Sequence, residues 1–142
     1  MFGPPGHLYV YFTYGMHWCV NVVCAPPGQA AAVLLRAGEV VDGLAQARRR
    51  RPTARSDRDL ARGPARLATT LGLDGRADGA YVLDPTGEVV LHPPPASPTS
   101  IRCGPRVGVV GAADRPWRFW LDGEPTVSPY RPYTPRRRTA AP

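Results

Sequence analysis

The chain has no lysine: its 18 basic residues are all arginine, set against 11 acidic residues for a formal charge of +7. That absence excludes a Schiff base on a lysine amine, and Met1 is not a catalytic N-terminal proline. Isoleucine occurs once, at Ile101, while Ala, Gly, Pro and Arg are abundant, a bias that a GC-rich genome imposes. Some of the arginines are therefore compositional. Charge alone leaves two readings open, a polyanionic partner and a solvated basic surface. Cys19, Cys24 and Cys103 leave one cysteine over after any pairing, which argues against a secreted disulfide framework. Buried free thiols in a reducing interior are the expectation. His17 stands near Cys19 and Cys24, but no second pair completes a metal-ligand spacing, so neither metal nor cofactor is expected. No long apolar run is present either. The early apolar stretch is broken by Gly15, His17 and Asn21, so it reads neither as a signal peptide nor as a membrane span. A cytoplasmic protein with no membrane partner is expected.

What is there fits one domain, since 142 residues can build a core of their own. Leu8, Val10 and Phe12 alternate with Tyr9, Tyr11 and Thr13, and Trp18, Val20 and Val22 resume the alternation. This pattern predicts a β-hairpin turning at Thr13-Tyr14-Gly15-Met16. Ala30 to Leu35 is a continuous apolar run, read as a strand buried on both faces and closed by Arg36. Val40 to Arg50 has helical spacing, with Val41, Leu44 and Ala47 on one side and Arg48 to Arg51 at a basic end. Cations there complement the helix dipole, so this run has a purely structural explanation. Ser56 and Asp57 can cap a short turn. A further helix starts at Gly63-Pro64, where proline's missing N–H costs nothing, and ends at Gly72. Tyr81 to Leu91 reads as a second hairpin turning at Asp84-Pro85-Thr86-Gly87. Arg102 to Val110 and Trp117 to Leu121 read as the last strands. The fold class is α+β, a mostly antiparallel sheet with a few helices. Residues 1–128 form the domain, and the Pro- and Arg-rich tail 129–142 is expected to be disordered.

Several residues suggest chemistry. Tyr14 at a hairpin tip gains little from burial and is suited to wedge between stacked bases. Tyr11 lies behind it. Asn21, an amide in mid-strand, is either a satisfied core group or a reader of a ligand edge. Arg36 at the end of a buried strand needs an anion nearby. Gly63-Pro64-Ala65-Arg66 joins free backbone N–H groups at a helix start to a guanidinium, a phosphate seat.

Together these residues resemble the alkyladenine (3-methyladenine) DNA glycosylases. The run Gly6-His7-Leu8-Tyr9-Val10-Tyr11-Phe12-Thr13-Tyr14-Gly15-Met16 resembles the central motif of that family. Asn21, Val33-Leu34-Leu35-Arg36-Ala37, Gly63-Pro64-x-Arg66-Leu67, Pro105-Arg106-Val107-Gly108-Val109 and Trp117-Arg118-Phe119 follow in the family's order and spacing. The resemblance covers about Phe2 to Ser128 and implies a curved antiparallel sheet. It implies monofunctional hydrolysis of the N-glycosidic bond of alkylated or deaminated purines after base flipping. Tyr14 then corresponds to the wedge and Tyr11 to an aromatic against the flipped base. Asn21 corresponds to the amide that disfavours the amino group of guanine. Arg36 and the Val107 carbonyl correspond to groups that hold the attacking water. Met16, Arg66 and Gly108 fall where the family approaches DNA. The implied partner is double-stranded DNA with a damaged purine, bound by a monomer at the bacterial nucleoid, with no cofactor.

One departure stands out. The family's general-base glutamate lies upstream of the hairpin in a Glu-x-Glu-Ala-Tyr motif, along with a second stacking tyrosine and a base-contacting histidine. No residue here matches them. Glu39, Glu88 and Glu124 are the only glutamates, each in a different context. The expectation is an N-terminally truncated member, from a late start codon or a truncated gene, whose polypeptide is inactive and folds marginally. The alternative readings are a non-catalytic nucleic-acid-binding module and a β-rich interaction domain whose tyrosines are core.

Overall fold

The computed structural model describes residues 1–132 except 96, 98, 99, 110 and 113. Strands β1 (Leu8–Thr13) and β2 (His17–Val23) form the expected antiparallel hairpin, and β3 (Ala32–Leu34) adds to β2 in the order β1-β2-β3. The register sets Leu8 against Val22, Val10 against Val20 and Tyr11 against Cys19. Strand alternation then gives the sheet two unlike faces. One face carries Leu8, Val10 and Val20, which form a buried cluster with Ala68 and Val82, flanked by Trp18, Val22 and Leu35.

Helix α1 (Leu44–Arg50), the short α2 (Asp57–Leu60) and α3 (Pro64–Leu71) follow. The proline start and glycine stop of α3 are as expected. Pro64 occupies the first turn, and Gly72, at φ 72°, lets its own N–H and that of Leu73 return to Thr69 and Ala68. Buried Leu67, Ala68 and Thr70 face inward, and the Thr70 hydroxyl donates to the Leu60 carbonyl at 2.6 Å. A 3₁₀ turn over Gly75–Ala77 packs on Trp18 so closely that a Cβ on Gly75 would lie 2.9 Å from the indole. Strands β4 (Ile101–Gly104) and β5 (Arg118–Leu121) make a separate antiparallel pair. The architecture is α+β with antiparallel sheets.

Five expectations need correction. The run from Ala30 to Leu35 is not a doubly buried strand. Strand β3 has three residues at the sheet edge, and Val33 is 57 % exposed. Helix α1 begins at Leu44 rather than Val40, because Gly43 takes a left-handed φ of 67° and leaves Val41 exposed. No hairpin forms from Tyr81 to Leu91. The turn itself is present, with Asp84 accepting from the Thr86 N–H and hydroxyl. One bond crosses the turn, from the Leu91 N–H to the Val82 carbonyl at 2.7 Å, but no ladder extends from it: the Val82 N–H donates to Gly6 and the Leu8 N–H to Ala80. Burial of Val82 in the main core wins over local pairing. The strand expected from Arg102 to Val110 ends at Gly104, before Pro105, which has no N–H for a ladder. Cys24 and Cys103 are exposed, and only Cys19 is a buried thiol. Residues 129–132 carry no regular structure, and the rest of the tail lies outside the described residues. Among the described residues no helix is long and apolar enough to cross a membrane.

Candidate nucleic-acid interface

The hairpin tip is a turn closed by the Met16 N–H donating to the Thr13 carbonyl at 3.1 Å. Tyr14 and Gly15 both have positive φ, 52° and 63°. Turns of this mirror-image kind match the twist of a hairpin and favour Asn or Gly at their centre. A tyrosine there bears about 1–2 kcal/mol of backbone strain. Its side chain recovers nothing by packing, since Tyr14 is 82 % and Met16 66 % exposed. Phe12 and Trp18, with ring centroids 4.8 Å apart, stiffen the strands behind the tip.

The sheet face opposite the core is polar and aromatic. Tyr9 and Tyr11 lie on β1 with centroids 5.4 Å apart, and Cys19 and Asn21 face them from β2. Asn21 is buried, and its Nδ2 donates to the Tyr9 carbonyl at 3.0 Å. Among the described residues nothing donates to its side-chain oxygen. Burial and the Cys19 thiol, then Tyr9 and Tyr14, push the Tyr11 phenol above its ordinary value. Tyr11 therefore stays a neutral hydroxyl at physiological pH.

Arg36 joins this face two residues past Leu34, which pairs with Asn21. It is half-buried and forms no ion pair among the described residues. Burial pushes its guanidinium below the ordinary value, the Arg118 guanidinium pushes it further the same way, and Cys19 opposes both. Arg118 is itself buried, stacked over Trp120 at 4.3 Å, and donates to the Ser128 carbonyl. The two guanidiniums thus lie near one another, and among the described residues neither forms an ion pair. None of the glutamates serves. Glu39 and Glu88 are exposed, and Glu124 accepts from the N–H and hydroxyl of Thr126.

The fold brings together Tyr11, Asn21 and Arg36, with Tyr14 and Met16 at the projecting tip. Arg66, Val107 and Gly108 lie on other elements. Arg66 is exposed on the first turns of α3, which packs on the core side of the sheet. Val107 is half-buried and Gly108 exposed, at φ 72°, in the irregular segment after β4. Cys19 and Arg118 were missed. Strand alternation with Tyr11 could have found Cys19, whereas nothing local announces that Arg118 lies beside Arg36. Among the described residues no group of three or more His, Cys, Asp or Glu could hold a metal.

Comparison with known proteins bears on this arrangement. A model of the methylpurine-DNA glycosylase family matches residues 1–125. Proteins named "Putative 3-methyladenine DNA glycosylase" are 57 % identical over 141 residues in Streptomyces avermitilis and 56 % over 142 in Nocardia farcinica. These alignments cover 97 % and 99 % of this chain and 66 % of each relative. A Burkholderia lata protein of the same name is 48 % identical over 129 residues, covering 90 % of this chain and 62 % of its own length. The chain thus spans just under two thirds of the length of these relatives. With a family model matched over most of its residues, and with an exposed tyrosine tip ahead of a tyrosine–asparagine–arginine face, the chain belongs to the methylpurine-DNA glycosylase family.

Proposed function

We propose that this chain carries the wedge and part of the base pocket of a monofunctional DNA glycosylase. Its substrates are alkylated and deaminated purines in duplex DNA, excised at the bacterial nucleoid by a monomer. The observation that carries the reading is the union of a strained, exposed Tyr14 with Tyr11, Asn21 and Arg36 on the sheet face behind it. Tyr14 enters the stack and fills the space of the flipped nucleotide, offsetting part of an unstacking cost of a few kcal/mol. Met16 stays beside it at the tip, and Arg66 and Gly108 approach the backbone. Tyr11 presents an electron-rich wall, which favours a cationic alkylated base over a neutral one. The Asn21 amide, held by Tyr9, opposes a purine 2-amino group with hydrogens of its own.

Hydrolysis then needs a water at the sugar C1′. The water oxygen bonds to C1′, the N-glycosidic bond breaks, and its electron pair leaves with the purine. Arg36 and the Val107 carbonyl orient that water. Its proton goes to the glutamate that the family resemblance implies and that no residue of this chain matches. The test is fluorescence anisotropy with duplexes carrying hypoxanthine or normal adenine. Preferential binding of the lesion, lost in Tyr14→Ala, is expected. Equal binding of both duplexes, unaffected by that change, would favour a plain nucleic-acid-binding module.

A further inference from the structure

The basic run at the end of α1 is not used up by the helix dipole. Arg48 is held by Asp57 through two bonds, Nε at 2.9 Å and Nη2 at 2.7 Å. Arg50 reaches across to the Thr70 carbonyl at 3.0 Å. Arg51 is different. It is the C-terminal cap residue, and its Nε is buried with no acceptor among the described residues. Arg51 lines an open cavity of about 440 Å³ together with Arg48, Arg55, Ser56, Asp57 and Leu60. Arg55 is exposed and has no ion-pair partner among the described residues. The backbone N–H groups of Arg55 and Ser56 also have no hydrogen-bond acceptor there.

The charge balance of this cavity is one-sided. Its only carboxylate, Asp57, is engaged by Arg48, and that guanidinium holds it below the usual carboxylate range. Two guanidiniums and two N–H donors remain without acceptors. A buried donor calls for one, and planar guanidinium forks match the oxygens of a phosphate. The cavity is wider than a bare ion and open to solvent, as a phosphate embedded in a polymer would need. It shares no residue with the Tyr11, Asn21 and Arg36 face.

We propose that this cavity between α1 and α2 is a phosphate seat gripping the DNA backbone away from the flipped base. The assignment to DNA rests on the glycosylase reading above. Its test uses the 142-residue chain, the Arg51→Gln/Arg55→Gln double variant, and Arg76→Gln as control. Arg76 is tied to Asp74 and does not line the cavity. Anisotropy on undamaged duplex across a salt series should show the double variant flattening the log–log slope by about 0.9, one phosphate contact. Damaged and undamaged duplex should lose affinity by the same factor, and Arg76→Gln should keep the wild-type slope. In amide NMR, inorganic phosphate should shift Arg51 and residues 53–57 of the wild type and not of the double variant. An unchanged slope, or no duplex binding by the wild type, overturns the proposal. Amide shifts with phosphate beside an unchanged slope overturn it too, because they assign the cavity to free phosphate. Arg55→Gln alone, at an exposed side chain, carries the test if the double variant does not fold. Lesion preference in Tyr14→Ala is read separately, so failure of the cavity and failure of the glycosylase reading are distinguishable.

Discussion

Asn21 and Tyr9 face each other across the β1–β2 ladder, and the Asn21 carboxamide donates to the Tyr9 carbonyl at 3.0 Å. One bond therefore does two things. It satisfies a polar group buried in mid-strand, and it fixes the amide on the face that carries Tyr11 and Arg36. A core amide with no ligand role would need only the first.

Asn21→Ala separates the two. Losing a neutral hydrogen bond costs about 0.5–1.5 kcal/mol of stability, read as a lower melting temperature. In a protein extended to the length of the relatives, the same change should narrow the preference for hypoxanthine over guanine. Lost stability with unchanged base preference would return Asn21 to a structural role.

Tyr14 offers a second separation, because its left-handed backbone is strained while its ring is unpacked. Asparagine adopts that conformation more readily, and Asn-Gly is a favoured centre for such a turn. Tyr14→Asn is expected to raise the stability of the free protein by up to about 1 kcal/mol while weakening lesion binding. A stability loss would mean that the tyrosine ring supports the turn.

Much of this was legible in the sequence, for local reasons. The hairpin follows from period-two alternation around Gly15, and α3 from Pro64 and Gly72 at its ends. The failures are non-local. Apart from one bond from the Leu91 N–H, Val82 pairs with Gly6 rather than in its own hairpin, and no window around Tyr81 contains that competitor. Gly43 cut α1 short through its backbone alone. Of the site, Tyr14, Tyr11 and Asn21 stand on one predicted hairpin and could be placed together. Arg36 could be placed near them only through the family resemblance. Its proximity to Arg118 depends on packing between distant segments.

Acid should destabilise the fold, with a definite sign. Arg48 holds Asp57, Arg76 holds Asp74, and the Thr86 N–H and hydroxyl hold Asp84 below the usual carboxylate range. The unfolded chain therefore takes up protons first as pH falls. Stability from these groups is complete above the ordinary carboxylate pKa, about 4, and is lost as pH drops through the lower folded values. Melting temperatures should be flat from pH 6 to 5 and fall from 4 to 2. The fall should be smaller in high salt, since solvent reaches the Arg48–Asp57 and Arg76–Asp74 pairs and salt screens them. A melting temperature that rises on acidification would contradict these pairings.

The isolated 142-residue polypeptide should not release free base from hypoxanthine or 3-methyladenine duplex above background. No carboxylate of the described residues pairs with Arg36, and a positioned general base contributes about 10²–10⁴-fold. Measured release by the purified chain, abolished by Glu39→Gln or Glu124→Gln, would identify a base that the geometry does not.

Tyr14 and Arg66 should respond oppositely to salt. Tyr14 is a neutral aromatic on the hairpin tip, whereas Arg66 is an exposed cation near the start of α3, behind the core side of the sheet. A phenol neutralises no phosphate, so Tyr14→Ala removes stacking alone. It should weaken lesion binding by about 1–3 kcal/mol and leave the salt slope unchanged. Arg66→Ala removes a charge that releases a counterion when it meets the backbone. It should weaken damaged and undamaged duplex alike and flatten the slope by about one unit. Anisotropy titrations of both variants on both duplexes across a salt series measure all four quantities. If Tyr14→Ala altered the slope and spared the lesion preference, the ring would be holding the hairpin in shape rather than entering DNA. If Arg66→Ala left the slope intact, α3 would stand away from the backbone, and the phosphate contacts of this chain would lie elsewhere on its surface.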